Sequence, residues 1–442
     1  MRVLQSITGV PMVFACIASA GTTIPLISTE YGTVFDAPMT IGNQNFQMLV
    51  DTGSSDTYVM QARYTCINAT DNLAMPREDC LYANKTYQSS DTQIPIANEN
   101  FGIQYGAGIA SGYLAYEEVS LGNITVKKQE VGIADRSNPM GDGVNSGLLG
   151  LAYPSITSAH PGNSTDNTTY WYNRLPYDPL VNTMHKEGKI DPYFSLALAR
   201  SPQNQSTSFG GYLTLGGLPP VKYDPEFAVT PVELMDIPLN FTSGKRVLSY
   251  WTTTIDEVTF GLSSNNLTTN SKKFKAFIDS GNYVTYLPSA VVEPINALFS
   301  PPATYNEDLE AYVVDCSSQA PQFGLKLGNQ TFFHNGSDLI FRVDDGICVS
   351  GLFPSEKVSL GDVTVNILGV PFLKNVLTVF DFGNDEMRFA KLLEVSENGT
   401  RLPGNETQSP EFSIAARGTS IPSWGYALFA FVLSFTWALG LS

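Results

Sequence analysis

Residues 48–54 read Met-Leu-Val-Asp-Thr-Gly-Ser, and residues 276–282 read Ala-Phe-Ile-Asp-Ser-Gly-Asn. Each stretch is a short apolar run, then Asp, a hydroxyl residue and Gly. Each is followed about 90 to 100 residues later by two apolar residues and Gly: Leu148-Leu149-Gly150 after the first, Ile367-Leu368-Gly369 after the second. One Asp-Thr-Gly tripeptide is common in turns. Two copies in matching contexts mark an internal duplication, a β unit of roughly 180 residues that carries one Asp at the end of a buried strand.

Such an Asp sits in a poorly solvated place, where desolvation favours the neutral carboxyl. If two lobes bring Asp51 and Asp279 together, like charges at contact cannot both be ionised, and the pair holds one proton. A pair of that kind is an acid and a base at once. It can activate a water and protonate a carbonyl oxygen or a leaving amide nitrogen, with no metal, cofactor or covalent intermediate.

The rest of the chain agrees with a β architecture. Of 442 residues, 43% are hydrophobic and 15% charged, which excludes a disordered chain or a coiled coil. Lys plus Arg is 25 against 42 Asp plus Glu, a net charge of −17, so no nucleic acid partner is expected. The 37 Gly, 27 Pro, 21 Tyr and 25 Phe favour strands and turns. Short alternating runs at Phe46–Val50, Ile103–Tyr105, Tyr116–Leu121, Ile124–Val126, Phe194–Ala199 and Val376–Phe382 predict strands. Helices are expected only at Leu180–Glu187 and Ser289–Leu298.

The two ends read as addresses. Residues 1–20 have one basic residue, Arg2, an apolar run and Ala18-Ser19-Ala20, the pattern of a signal peptide cleaved after Ala20. Residues 395–425 lack periodicity and read as a solvated stalk, and residues 426–442 form an apolar tail. Its sixteen residues from Tyr426 to Leu441 would span roughly 24 Å, short of the roughly 30 Å hydrocarbon core. With small residues upstream and no basic residue after it, the tail predicts GPI attachment at Ala416 or Gly418; a single membrane-spanning segment is the alternative. The expected location is the outer face of the cell membrane or the wall, with simple secretion as the alternative.

Twelve Asn-x-Ser/Thr sequons, at Asn68, Asn84, Asn123, Asn163, Asn167, Asn204, Asn240, Asn266, Asn329, Asn335, Asn398 and Asn405, predict a glycosylated surface. Once Cys16 leaves with the signal, Cys66, Cys80, Cys316 and Cys348 remain, an even number in an oxidising compartment. Three pairings are possible. The local one, Cys66 with Cys80 and Cys316 with Cys348, is the simplest, and each closed loop would stabilise by about 3 kcal/mol.

From Tyr31 to Leu393 the chain resembles a pepsin-like aspartic protease. The resemblance is carried by Asp51-Thr52-Gly53-Ser54-Ser55, Tyr105-Gly106-Ala107-Gly108, Gly147–Tyr153, Asp279-Ser280-Gly281 and Ile367–Phe382. It implies an all-β bilobal fold, with an N-terminal lobe over 21–220, a C-terminal lobe over 221–394 and the cleft between them. It also implies a monomeric endopeptidase for peptide or protein substrates, usually acting at acidic pH, with one disulfide per lobe. Asp51 and Asp279 would be the catalytic pair, and Ser54 would hydrogen-bond the Asp51 carboxylate. Thr52 and Ser280 would brace the two loops, with Gly53 and Gly281 completing them. Tyr105, on a hairpin turned by Gly106 and Gly108, would close over substrate. The tailed, exported form is similar to fungal cell-surface members.

Three features depart from the family pattern. Asn282 stands where the family usually has a Thr or Ser that donates to the second aspartate; its amide is also a donor. Tyr58 occupies a position where a tryptophan often supports the flap tyrosine, a part its hydroxyl can take. Cleavage after Ala20 leaves 30 residues, 21–50, before Asp51, which implies either an enzyme made without a prosegment or a chain start that is incomplete. Asn282 also keeps open a second reading, a catalytically silent relative that binds peptides or wall proteins in the same cleft. Other chemistries lack their motifs. Gly106-x-Gly108 and Gly141-x-Gly143 complete no phosphate loop, His160, His185 and His334 lack metal-ligand spacing, and no Ser lies in a Gly-x-Ser-x-Gly elbow.

Overall fold

The strand that ends in Asp51, Gln44–Asp51, runs parallel to Gly147–Gly150, pairing Leu49 with Leu148, Val50 with Leu149 and Asp51 with Gly150. Its second counterpart is built alike. Phe274–Ile278 runs parallel to Ile367–Leu368, pairing Phe277 with Ile367 and Ile278 with Leu368. In each half the strand that follows the Asp loop then lies antiparallel to the apolar-apolar-Gly strand, Thr57–Ile67 in the first and Thr285–Leu287 in the second. The repeated sequence elements are therefore partners in space. Their near-continuous apolar character follows from burial on both faces of a parallel pair.

The computed structural model describes residues 21–396 except 107, 163–169, 171, 203–204, 308, 345 and 361–362. The signal peptide, nearly all of the stalk, the apolar tail and the sequons at Asn163, Asn167, Asn204, Asn398 and Asn405 lie outside the described residues.

The chain is mostly β and bilobal. A large sheet carries most of the first half, and its far edge is shared. Thr22–Thr29 pairs with Ser208–Leu215, which pairs with Tyr193–Leu198, and the next strands are Val376–Asp381 and Glu386–Glu394 from the chain's end. Every residue of Val376–Asp381 is buried in this bridge. Trp251 is buried beneath it, donating from Nε1 to Leu151 O at 2.9 Å and packing on Phe194 and Phe380.

Each predicted run coincides with a strand, though Tyr105, Ala199 and Phe382 lie one residue past their strand ends and several strands extend further, such as Ile94–Gln104 and Ile124–Ser137. The two predicted helices form at Leu180–Lys186 and Ser289–Asn296, and a third, Val370–Leu373, follows Gly369. The disulfides take the local pairing, Cys66–Cys80 and Cys316–Cys348. Ile94–Gln104 and Ile109–Leu121 form the hairpin that holds Tyr105, with Gln104 opposite Ile109. Among the described residues no helix is long and apolar enough to cross a membrane.

Candidate active site

The two Asp loops meet and are tied by a reciprocal set of hydrogen bonds. Thr52 N donates to Ser280 Oγ at 3.1 Å, and Ser280 N donates to Thr52 Oγ1 at 2.9 Å. Thr52 Oγ1 donates to Ile278 O at 2.9 Å, and Ser280 Oγ donates to Val50 O at 2.7 Å. Each hydroxyl thus reaches the carbonyl of the residue immediately before the other loop's Asp. Only a residue with both donor and acceptor capacity satisfies this buried junction.

The junction sets Asp51 against Asp279. A Cβ on Gly53 would lie 2.5 Å from Asp279 Cγ, and one on Gly281 would lie 2.6 Å from Asp51 Oδ1. The glycines are required by that approach. Asp51, 5% exposed, accepts from Gly53 N at 2.7 Å through Oδ1 and from the Ser54 hydroxyl through Oδ2. Asp279 accepts from Gly281 N at 2.9 Å.

Burial raises both carboxyls above their ordinary value. For Asp51 the Ser54 hydroxyl and Gly53 amide offset part of that rise by stabilising the anion. Asp279 is raised much further, by burial first and then by the Asp51 charge and the hydrogen bond between the two. Two carboxyls set against each other and both raised favour one shared proton, and the titration belongs to the pair.

Asn282 does not reach Asp279 with its side chain. Its Oδ1 accepts from Val284 N at 3.2 Å, an Asx turn that orients the loop, and its backbone amide assists the Asp279 anion instead. Tyr105 closes a tight turn, accepting from Gly108 N at 3.4 Å and donating from its own N to Gly108 O at 2.7 Å. Its hydroxyl is buried beside those of Ser54 and Tyr58 without a well-formed hydrogen bond. Tyr58, 2% exposed, packs with its ring tilted against Phe101, centroids 5.3 Å apart, and turns its hydroxyl toward Tyr82 and Tyr105. Gly108 is required by Asn138, whose Oδ1 would sit 2.5 Å from an added Cβ. That buried amide ties the hairpin root to Ile67.

Around the pair lies a cleft of about 240 Å³. Leu49, Ile103, Met140, Leu148, Ile156, Phe277, Tyr286 and Ile367 give it apolar walls, and Tyr105 and Gly106 line it from above. Two residues absent from the sequence reading, Tyr250 and Arg174, also line it. Tyr250 packs at 4.8 Å on Phe277, Arg174 enters the wall beside Ile156, and Asp56 sits behind them, accepting from Tyr177 Oη at 2.6 Å and Ser158 N at 2.7 Å. Arg174 follows an irregular stretch with no periodicity to flag it. Among the described residues no three His, Cys, Asp or Glu are grouped to hold a metal. The seven described sequon asparagines are all exposed.

A cleft between duplicated β lobes, with a buried carboxyl from each, defines an aspartic-type hydrolase. The chain belongs to the eukaryotic aspartyl proteases, whose family model matches residues 35–392. It is 36% identical over 373 residues to a protein named as a probable aspartic-type endopeptidase of Aspergillus fumigatus, covering 83% of this chain and 80% of that one. Cathepsin D of Gallus gallus is 28% identical over 361 residues, covering 79% and 77%, and rhizopuspepsin of Rhizopus chinensis is 26% identical over 380, covering 84% and 82%. The fold matches the crystal structure of the aspartic proteinase from Irpex lacteus with a TM-score of 0.63, covering 86% of this chain and all of that one at 19% identity. The protein is an aspartic-type endopeptidase.

Proposed function

We propose that Asp51 and Asp279 are the catalytic pair, acting on peptide bonds flanked by bulky apolar residues at acidic pH. The observation that carries this reading is the pair itself, two buried carboxyls brought together by loops whose glycines a Cβ would push into the opposite Asp. The Asp51 anion takes a proton from a water held between the carboxyls. The Asp279 proton passes to the scissile carbonyl oxygen as the water oxygen bonds to carbon. Return of the Asp51 proton to the amide nitrogen and of the diol proton to Asp279 breaks the C–N bond and restores the pair. Tyr105 and the hairpin exclude bulk water, which strengthens every charge interaction in the cleft. Apolar walls favour bulky apolar side chains on either side of the bond.

The same reading places the enzyme, as a glycosylated monomer, outside the cell on a GPI anchor. The support is the terminal sequence pattern together with the exposed sequons and two disulfides. Release by a phosphatidylinositol-specific phospholipase supports the anchor; mature surface protein that keeps peptides from 426–441 and resists release contradicts it.

The test of activity is cleavage of an unbiased peptide mixture from pH 3 to 7 with and without pepstatin, whose hydroxyl mimics the tetrahedral intermediate. Acid-favoured, pepstatin-blocked cleavage is expected. Pepstatin binding without turnover would instead indicate a silent relative.

A further inference from the structure

Arg174 is 6% exposed, yet it lines the cleft. Its guanidinium donates to two main-chain carbonyls, Ile156 O and, at 3.3 Å, Tyr170 O, while Nε has no hydrogen-bond partner. No carboxylate forms an ion pair with it among the described residues. The acid that feels its charge, Asp56, spends its Oδ1 on Ser158 and Tyr177, and its Oδ2 is buried without a partner. The charged and titratable groups facing Arg174 are Asp56, Tyr105, Tyr250 and His160. Two of these, Tyr105 and Tyr250, line the same cleft as Arg174 and the Asp pair. A buried cation with an idle donor and no ion-pair partner is costly unless an anion completes it.

We propose that Arg174 is a specificity-determining residue that receives a carboxylate from the substrate, on the side of the Asp pair walled by Ile156 and Tyr250. The inference rests on reading this cleft as the substrate site. The Ile156 and Tyr170 carbonyls hold the guanidinium flat, and the Ser243 hydroxyl, donating to Arg174 O at 2.8 Å, fixes its loop to the second half of the chain. The carboxylate comes from an acidic side chain or from the substrate's own C-terminus. It pairs in a low-dielectric wall, where a charge-assisted hydrogen bond is strongest.

Peptide pairs differing only as Glu or Gln at each position near the cut, and pairs ending in a free acid or an amide, separate the two sources. Because a free Glu ionises near pH 4.3, the Glu-to-Gln ratio of kcat/KM should rise about tenfold between pH 3 and 5.5 at one position. The Gln or amide peptide carries the enzyme's own titrations, so the ratio reports the peptide carboxylate. The preference should vanish in Arg174→Gln and survive in part in Arg174→Lys. A ratio near one at both pH values for every pair, with the Gln peptides still cut, would overturn the inference and leave the Asp pair standing. Binding of the same peptides to the Asp279→Asn protein gives the comparison without turnover; equal affinities there would overturn it even if no peptide were cut.

Discussion

Thr52 and Ser280 bind each other twice across the molecule, each backbone amide donating to the other's hydroxyl, at 3.1 and 2.9 Å. The junction is buried, so loss of one hydroxyl strands an amide. Thr52→Val or Ser280→Ala should each cost about 1–3 kcal/mol of stability and lower kcat more than KM. Denaturant unfolding with steady-state kinetics checks this, and the double variant should show a coupling of about 0.5–3 kcal/mol. Additive losses would mean that the loops are held by other contacts.

Gly53 and Gly281 are set by steric approach. A Cβ on Gly53 would overlap the Asp279 carboxyl, with Cγ at 2.5 Å. Gly53→Ala should therefore lower kcat/KM by about a hundredfold, the scale of a misplacement near 1 Å. Unaltered kinetics in a folded Gly53→Ala protein would refute the contact.

Stability should fall as pH rises from acid to neutral. Among the described residues seven carboxyls, Glu30, Asp36, Asp51, Asp56, Glu130, Asp135 and Asp279, are raised by burial. A raised carboxyl stabilises fully below its unfolded pKa, and that contribution is lost as pH passes through the folded value. For Glu130, buried among Glu99, Asp56 and Asp178, that value is about 7. Buried His160 and His334 oppose the trend, since both resist protonation. The carboxyls outnumber them, so Tm should drop between about pH 4 and 7. Glu130→Gln should flatten the upper part of the fall. A Tm that rises across this interval would contradict the account.

Asn282 offers a pH test of the pair. Its side chain caps Val284 rather than Asp279. A hydroxyl at that position that donates to Asp279 would stabilise the anion and lower the pH at which the pair loses its last proton. Asn282→Thr should keep activity and move the neutral limb of the kcat/KM profile to lower pH. A limb that does not move would show that residue 282 leaves the pair's proton unaffected.

The duplication was legible because its signal is local and occurs twice. Apolar residues before Asp51 and Asp279, and before Gly150 and Gly369, mark buried parallel strands, and those four segments pair in the structure. Strand ends were less visible. Ile94–Gln104 begins with largely exposed residues that show no alternation, and only tertiary pairing with Ile109–Leu121 extends it. The bridging sheet was hidden too, since Val376–Asp381 meets Tyr193–Leu198 across a long stretch of chain that no short-range pattern records. Within the cleft, Arg174 and Tyr250 were missed for the same reason. Each lies in an irregular segment, and only the fold brings it to the wall.

The most direct test of the central claim is kcat/KM of the Asp279→Asn protein against wild type, at the acid optimum, with folding monitored by Tm. The amide keeps the shape of the side chain but removes the proton that the pair passes to the substrate. The account predicts a loss of at least about a thousandfold, the scale of a missing general acid, in a protein that still unfolds cooperatively. Equal turnover by the two proteins would contradict it.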